Sequence, residues 1–242
     1  GEVALEHAEA ILRQLDDLAA AMRPYAKGDR HVIRILANTA AMADVLPSAL
    51  PAYLASHPGI SVDVEERPSR EIAVALARGS FDFGILADMV DLGSLHTIPV
   101  RRDDLVLIAA NGHEVGQRRT LRLTEVRSQP FVGLAADAPL QNYIESKAAD
   151  AGSPLAMRLR VQSFDALCES VRGGIGLAIV PAAVARRHAA DLAAIELEDS
   201  WAKRSLKIGM RDPAALSAPA RELVEHICAA VECPGPESNR HA

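Results

Sequence analysis

The sequence predicts an α/β protein, with two units of alternating strands and helices behind a separate N-terminal helix. Three observations predict it. An apolar seam with a seven-residue repeat runs through residues 2–23 and stops at Pro24 and Gly28. From residue 31 onward, short aliphatic runs alternate with amphipathic helical stretches, which is the βαβ signature. Gly, Pro or Ser punctuates most boundaries between them.

The N-terminal helix carries Leu5, Ala8, Leu12, Leu15, Ala19 and Met22 three and four residues apart, with Glu6, Glu9, Arg13, Asp16 and Asp17 on the other face. That spacing suits a coiled-coil seam between two chains, or a helix packed on its own domain. Residues 31–37 then read as a strand and 40–57 as a helix kinked at Pro47 or Pro51. Residues 60–65 read as a strand, and 69–78 as a helix with Ser69 as N-cap and Gly79 as terminator. A short strand at 81–86 completes a βαβαβ run of parallel strands. The second unit reads as strands at 105–109, 130–134, 159–162, 176–180 and 192–196, with helices at 121–126, 140–151 and 164–172. A strand at 205–210 and a helix at 219–231 close the chain, ahead of a disordered tail.

Composition narrows the function. Net charge is -6 and aromatics make up 3% of 242 residues. Nucleic-acid binding draws on a basic face or stacking aromatics, and neither is present. Three cysteines, Cys168, Cys228 and Cys233, form no C-x-x-C pair, which suits a reducing, cytoplasmic setting. Cys168 and Cys228 fall on apolar helix faces and read as small buried residues. No apolar run is long enough to span a bilayer. The chain opens on Gly1 rather than Met, a hint that the natural protein continues upstream.

No nucleophile elbow, zinc motif or phosphate loop is present, and no His or carboxylate cluster has metal-ligand spacing. Gly174 and Gly176 form G-x-G, but they join a helix to a strand, the reverse of a dinucleotide fingerprint. The sequence therefore implies no metal and no cofactor. In open α/β sheets, ligands sit beyond the carboxyl ends of strands, where helix N-termini favour anions. Three such junctions carry polar side chains: Asn38–Thr39, Pro68–Ser69 and Ser163. Gly133–Leu134 offers a fourth wall. Each alone reads as a plain N-cap; three converging on one cleft would make a binding site. Arg67, Arg70, Arg101 and Arg102 lie near these segments, as anion partners or as solvated surface charges.

The order and spacing of these pieces resemble the LysR-type transcription regulators over residues 2–230. Gly1, Glu2, Leu5, Ala8, Ile11 and Leu12 resemble the start of that family's linker helix. Residues 34–64 resemble its first strand, its helix with a Leu-Pro, and the His-Pro before strand two. Residues 75–86 are similar to its Leu-x-x-Gly-x-Leu-Asp-x-Ala-Ile segment, with Phe81 at the Leu position. Residues 163–185 resemble its Val-x-x-Gly-x-Gly-x-x-x-x-Pro segment. The resemblance implies a two-lobed, type 2 periplasmic-binding-protein-like effector domain behind a coiled-coil linker helix. Its segments would be a linker over 1–30, one lobe over 31–100 plus 207–231, the other over 101–206, and a tail over 232–242. It implies a small effector, carboxylate-bearing, held by Asn38, Thr39, Ala40, Pro68, Ser69, Gly133, Leu134, Ser163 and Phe164. It further implies a homodimer or homotetramer, a winged helix-turn-helix upstream for DNA, and no catalysis. One redox-sensing branch uses paired cysteines in the second lobe; only Cys168 lies there. The rival readings are a stand-alone solute-binding protein, which would carry a secretory signal and need no seam, and an α/β enzyme, which would need a catalytic constellation.

Overall fold

The structure is a computed structural model describing residues 31–231. The seam at Leu5, Ala8, Leu12, Leu15, Ala19 and Met22, the expected tail and Cys233 lie outside the described residues.

Strands β1 (His31–Ala37), β2 (Ile60–Glu66) and β3 (Phe83–Ala87) are parallel, with β1 between the other two. The period of two in β1 sorts its side chains. Ile33, Ile35 and Ala37 enter one apolar cluster, and Leu36 enters another on the opposite face with Ile72 and Leu76. Burying each Ile or Leu contributes about 1.5–3 kcal/mol. β11 (Ser205–Met210), antiparallel to both its neighbours β3 and β4 (His96–Arg102), completes the sheet in the order β2-β1-β3-β11-β4. The sequence reading lacks β4 because Pro99 interrupts it. Pro99 is tolerated there because β4 is the edge of the sheet, where a missing N–H breaks no ladder.

The first crossover helix spans residues 39–56: a π turn at Ala41–Val45, then α1 (Leu46–Ser56). The distortion falls just before Pro47. Proline has no N–H, so the carbonyl four residues earlier, on Ala43, loses its helical donor. Helix α2 (Ser69–Arg78) covers the other face and ends at Gly79, whose φ of 80° gives the left-handed turn a side chain would resist.

The second half builds another sheet in the order β6-β10-β5-β9, from β5 (Leu105–Ala110), β6 (Thr120–Leu121), β9 (Ala178–Pro181) and β10 (Leu192–Leu197). β7 (Pro130–Leu134) and β8 (Ala156–Val161) form a parallel pair beside it. Leu177 ties the two: its N–H donates to Pro130 O at 2.8 Å, and its carbonyl accepts from Val132 N at 2.7 Å. This close approach explains Gly176, where a Cβ would stand 2.4 Å from Pro130 O. Gly174 makes the turn with φ of 75°. Helices α3 (Pro139–Asp150) and α4 (Phe164–Arg172) cover the sheet, with Phe131 and Ile144 in one cluster and Val132, Leu167 and Cys168 in another. A short helix, α5 (Ala182–Arg187), follows Pro181 directly; six Ala-rich residues carry too little periodicity to be read from sequence. Residues 121–126 form a strand end and a 3-10 turn rather than a helix. Helix α6 (Ala218–Ala230) packs back on the first lobe's cluster through Leu223, Val224 and Ile227. Among the described residues, no helix is long and apolar enough to cross a membrane.

Candidate functional site

The carboxyl ends of β1 and β3 and the start of α2 are tied together by two polar side chains. Asn38 Oδ1 accepts from Ala41 N at 2.9 Å and caps the helix that follows β1. Its amide Nδ2 donates to Ser69 Oγ at 3.2 Å. Ser69 Oγ also accepts from Ala87 N, at the end of β3, at 3.0 Å. A hydroxyl has two acceptor lone pairs and one proton. With both bonds accepted, the Ser69 proton is the group left to serve a further acceptor. Thr39 Oγ1 donates to Glu66 Oε1 at 2.6 Å, fixing the neighbouring loop.

These residues open onto a cleft of about 570 Å³ of empty space including its mouth. The cavity proper is about 130 Å³, below the roughly 300–1,000 Å³ of pockets for drug-sized ligands, so it suits a small organic molecule only. Asn38, Thr39, Ala40, Pro68 and Ser69 all line it, so two of the expected junctions converge. Ala87, Met89 and Val90 extend the first-lobe wall. Opposite stand Pro139, Leu140 and Tyr143 from the first two turns of α3, and Arg204 sits beside β11. Three helix starts, at residue 39, Ser69 and Pro139, thus meet at one place; the last two have no side-chain cap. Free first-turn N–H groups and helix dipoles favour an anion there.

The other expected residues stand elsewhere. Gly133 and Leu134 are buried in the second lobe, where Gln141 Oε1 accepts from Leu134 N at 2.9 Å. Ser163 accepts from Ala166 N at 3.2 Å as the N-cap of α4, and Phe164 packs on the second-lobe clusters. None of the four lines the cleft. The strand-end rule points at Gly133–Leu134, but the chain runs on through residues 135–138 before α3 starts, so the helix start is what reaches the cleft. Tyr143 stands on that wall, a placement that spacing along the chain does not give. Its hydroxyl donates to Trp201 O at 2.8 Å, and burial pushes its pKa up.

The four flagged arginines separate clearly. Arg67 pairs with Glu65 at 2.6 Å, Arg102 with Asp104 at 2.6 Å, and Arg101 with Asp44. Arg70 lines the cleft mouth, exposed. At the crossovers, Arg204 and Asp103 form a buried pair, 7% and 4% exposed, with Arg204 Nη2 2.5 Å from Asp103 Oδ2. Burial pushes the Asp103 carboxyl up from its ordinary value, and Arg204 opposes that shift. Cys168 is buried and burial raises its pKa to about 11, so its thiol stays protonated. No group of three or more His, Cys, Asp or Glu among the described residues could hold a metal.

Two α/β lobes, joined by two crossover segments around an interlobe cleft, define a periplasmic-binding-protein-like effector domain of type 2. The LysR substrate binding domain family matches residues 26–231, and the chain belongs to it. A curated relative, the uncharacterized HTH-type transcriptional regulator MJ0300 of Methanocaldococcus jannaschii, is 24% identical over 183 residues, covering 74% of this chain and 62% of its own length. The chain spans 62% and 60% of the first two curated relatives it matches. The regulatory domain of Synechocystis PCC6803 CcmR in complex with 2-PG superposes with a TM-score of 0.67 at 16% identity, covering 88% of this chain and all of that one. The BenM effector-binding domain with its effector benzoate gives 0.65 at 18% identity, covering 89% of this chain and all of that one.

Proposed function

We propose that this chain is the ligand-sensing part of a LysR-type transcription regulator, and that a small carboxylate-bearing effector occupies the interlobe cleft. The observation that carries the reading is the Ser69 hydroxyl. It accepts two bonds from the protein and keeps its proton for an acceptor, at a meeting point of three helix starts. Family membership supports it, as do neighbours whose names record 2-PG and benzoate in complex. The first lobe is 31–100 plus 207–231 and the second 101–206. Asn38, Thr39, Ala40, Pro68 and Ser69 hold the ligand from the first lobe, and Leu140 and Tyr143 face it from the second. Leu134 is tied to α3 behind that wall through Gln141, while Ser163 and Phe164 stand away from the cleft.

The chain acts by binding and not by catalysis. A ligand touching both lobes favours one hinge angle only to the extent that it binds that state better. In the intact cytoplasmic protein, lobe rotation alters dimer or tetramer contacts through the helix at residues 2–23, and with them the spacing of the upstream DNA-reading heads. The test is a thermal-shift screen of the purified chain against carboxylates, amino acids and aromatic acids. A ligand at about 100 times its dissociation constant adds about 2.7 kcal/mol. Ser69→Ala and Thr39→Ala are expected to shrink the shift given by the hit. A hit indifferent to both places the site elsewhere.

A further inference from the structure

We infer that Arg204 is a second anion-reading group of the cleft, so that the ligand carries two acidic groups, the second a carboxylate or a phosphate. The inference rests on the reading of the cleft as an effector site. Arg204 is nine-tenths buried, yet it lines an otherwise largely apolar cavity. Its guanidinium is only partly used by the protein. Nε donates to the Asp103 carbonyl at 3.0 Å. Nη2 lies 2.5 Å from Asp103 Oδ2 in the buried ion pair. Nη1 is the nitrogen with no partner among the described residues, and Arg204 lines the cleft. A ligand oxygen on Nη1 makes a charge-assisted hydrogen bond in a low-dielectric setting. The fork of an arginine suits carboxylate and phosphate alike.

Position supplies the second argument. Ala87 N binds Ser69 Oγ, and Ala87 pairs with Leu206 across β3 and β11. Arg204 lies two residues before Leu206, just ahead of β11, and lines the same cleft as Ser69. A small molecule with an acid at each end would meet both groups in one cleft. Apolar Met89, Val90 and Leu140 line the cleft along with these two poles. Arg204 also stands 5.7 Å from the centre of the Tyr143 ring, which sets it beside the α3 wall of the cleft. Asp103 and Arg204 sit at the two crossovers, with Asp103 N donating to Arg204 O at 2.9 Å. An acid drawn to Arg204 is therefore felt at both hinge segments.

The test is isothermal titration and thermal shift with four probes: benzoate, terephthalate, succinate and phosphoglycolate. Arg204→Gln alone strands Asp103, so the informative variant is Arg204→Gln with Asp103→Asn, alongside Arg204→Lys. The expected result is that at least one two-acid probe binds tenfold or more tighter than benzoate, that the double variant erases the difference, and that Arg204→Lys keeps part of it. A response to phosphoglycolate without terephthalate or succinate assigns the second group as phosphate, and the converse assigns a carboxylate. If benzoate binds as well as the two-acid probes, or their advantage survives in the double variant, Arg204 is a hinge residue only and the inference fails while the effector cleft stands. If no probe binds, the acid reading of the cleft fails and this inference with it.

Discussion

Arg187 of the second lobe donates its Nη1 to the carbonyl of Ala43 in the first, at 2.9 Å. The acceptor exists because of sequence: Pro47, four residues on, has no N–H to occupy that carbonyl. The next residue, Asp44, pairs with Arg101 of β4 and lies 3.8 Å from the same Arg187 nitrogen. Ala43 itself packs on a second-lobe apolar cluster. This interlobe joint sits one turn along the helix whose first residues line the cleft. Ligand and lobe contact thus bear on adjacent turns of one rigid element.

Asp44→Asn is expected to cost about 2 kcal/mol, because it leaves Arg101, only 24% exposed, without its counter-ion. Arg187→Gln is expected to cost under about 1 kcal/mol, since that side chain is 45% exposed and its pair is screened. Urea denaturation of the two variants checks the order. Equal losses would mean that Asp44 works through Arg187 alone.

Asn38→Asp separates folding from binding. Aspartate caps a helix as well as asparagine does, so the bond from Ala41 N survives. The new charge repels an acid ligand and removes the amide that holds Ser69. Acid affinity is expected to fall at least about tenfold, or ~1.4 kcal/mol, with a far smaller loss of melting temperature. Unchanged affinity by titration calorimetry would place the acid away from this end.

Gly176→Ala is expected to destabilise by about 1–3 kcal/mol, because the added Cβ meets the backbone of Pro130, which cannot swing aside as a side chain could. The loss is read by urea melts. Hydrogen exchange should quicken at Val132 and Leu177, whose amides hold the two second-lobe sheets together.

Cys168 gives a pH prediction. Its pKa is raised from 9.0 to about 11, chiefly by burial. The unfolded thiol ionises first as pH rises. The stability tied to the neutral thiol is thus complete below pH 9 and is lost progressively up to about 11. Near pH 8, peptide-resolved alkylation of Cys168 should be many times slower in the native protein than in urea. Equal rates would refute its burial.

The parallel strands of the first lobe and α2 with its Gly79 stop were legible because their periodicity and terminators agree. β4 was not, because Pro99 reads as a breaker until the edge position is known. The π turn was not, since sequence places a distortion near Pro47 but not its form. In the cleft, Asn38, Thr39 and Ser69 were legible from strand-to-helix junctions. Arg204 and Tyr143 were not: one depends on where two crossovers meet, the other on how far a loop carries α3 past its strand. Both are properties of tertiary placement that spacing along the chain does not encode.

The most direct measurement is the interlobe distance with and without an acid that stabilises the fold. Spin labels at Val74 and Asp150, both exposed and on opposite lobes, would be placed on a chain with Cys168, Cys228 and Cys233 replaced by alanine. If the acid bridges the lobes, the distance distribution narrows and its centre shifts at saturation, and Ser69→Ala needs more acid for the same change. A distribution identical with and without saturating acid would contradict a ligand held between the lobes.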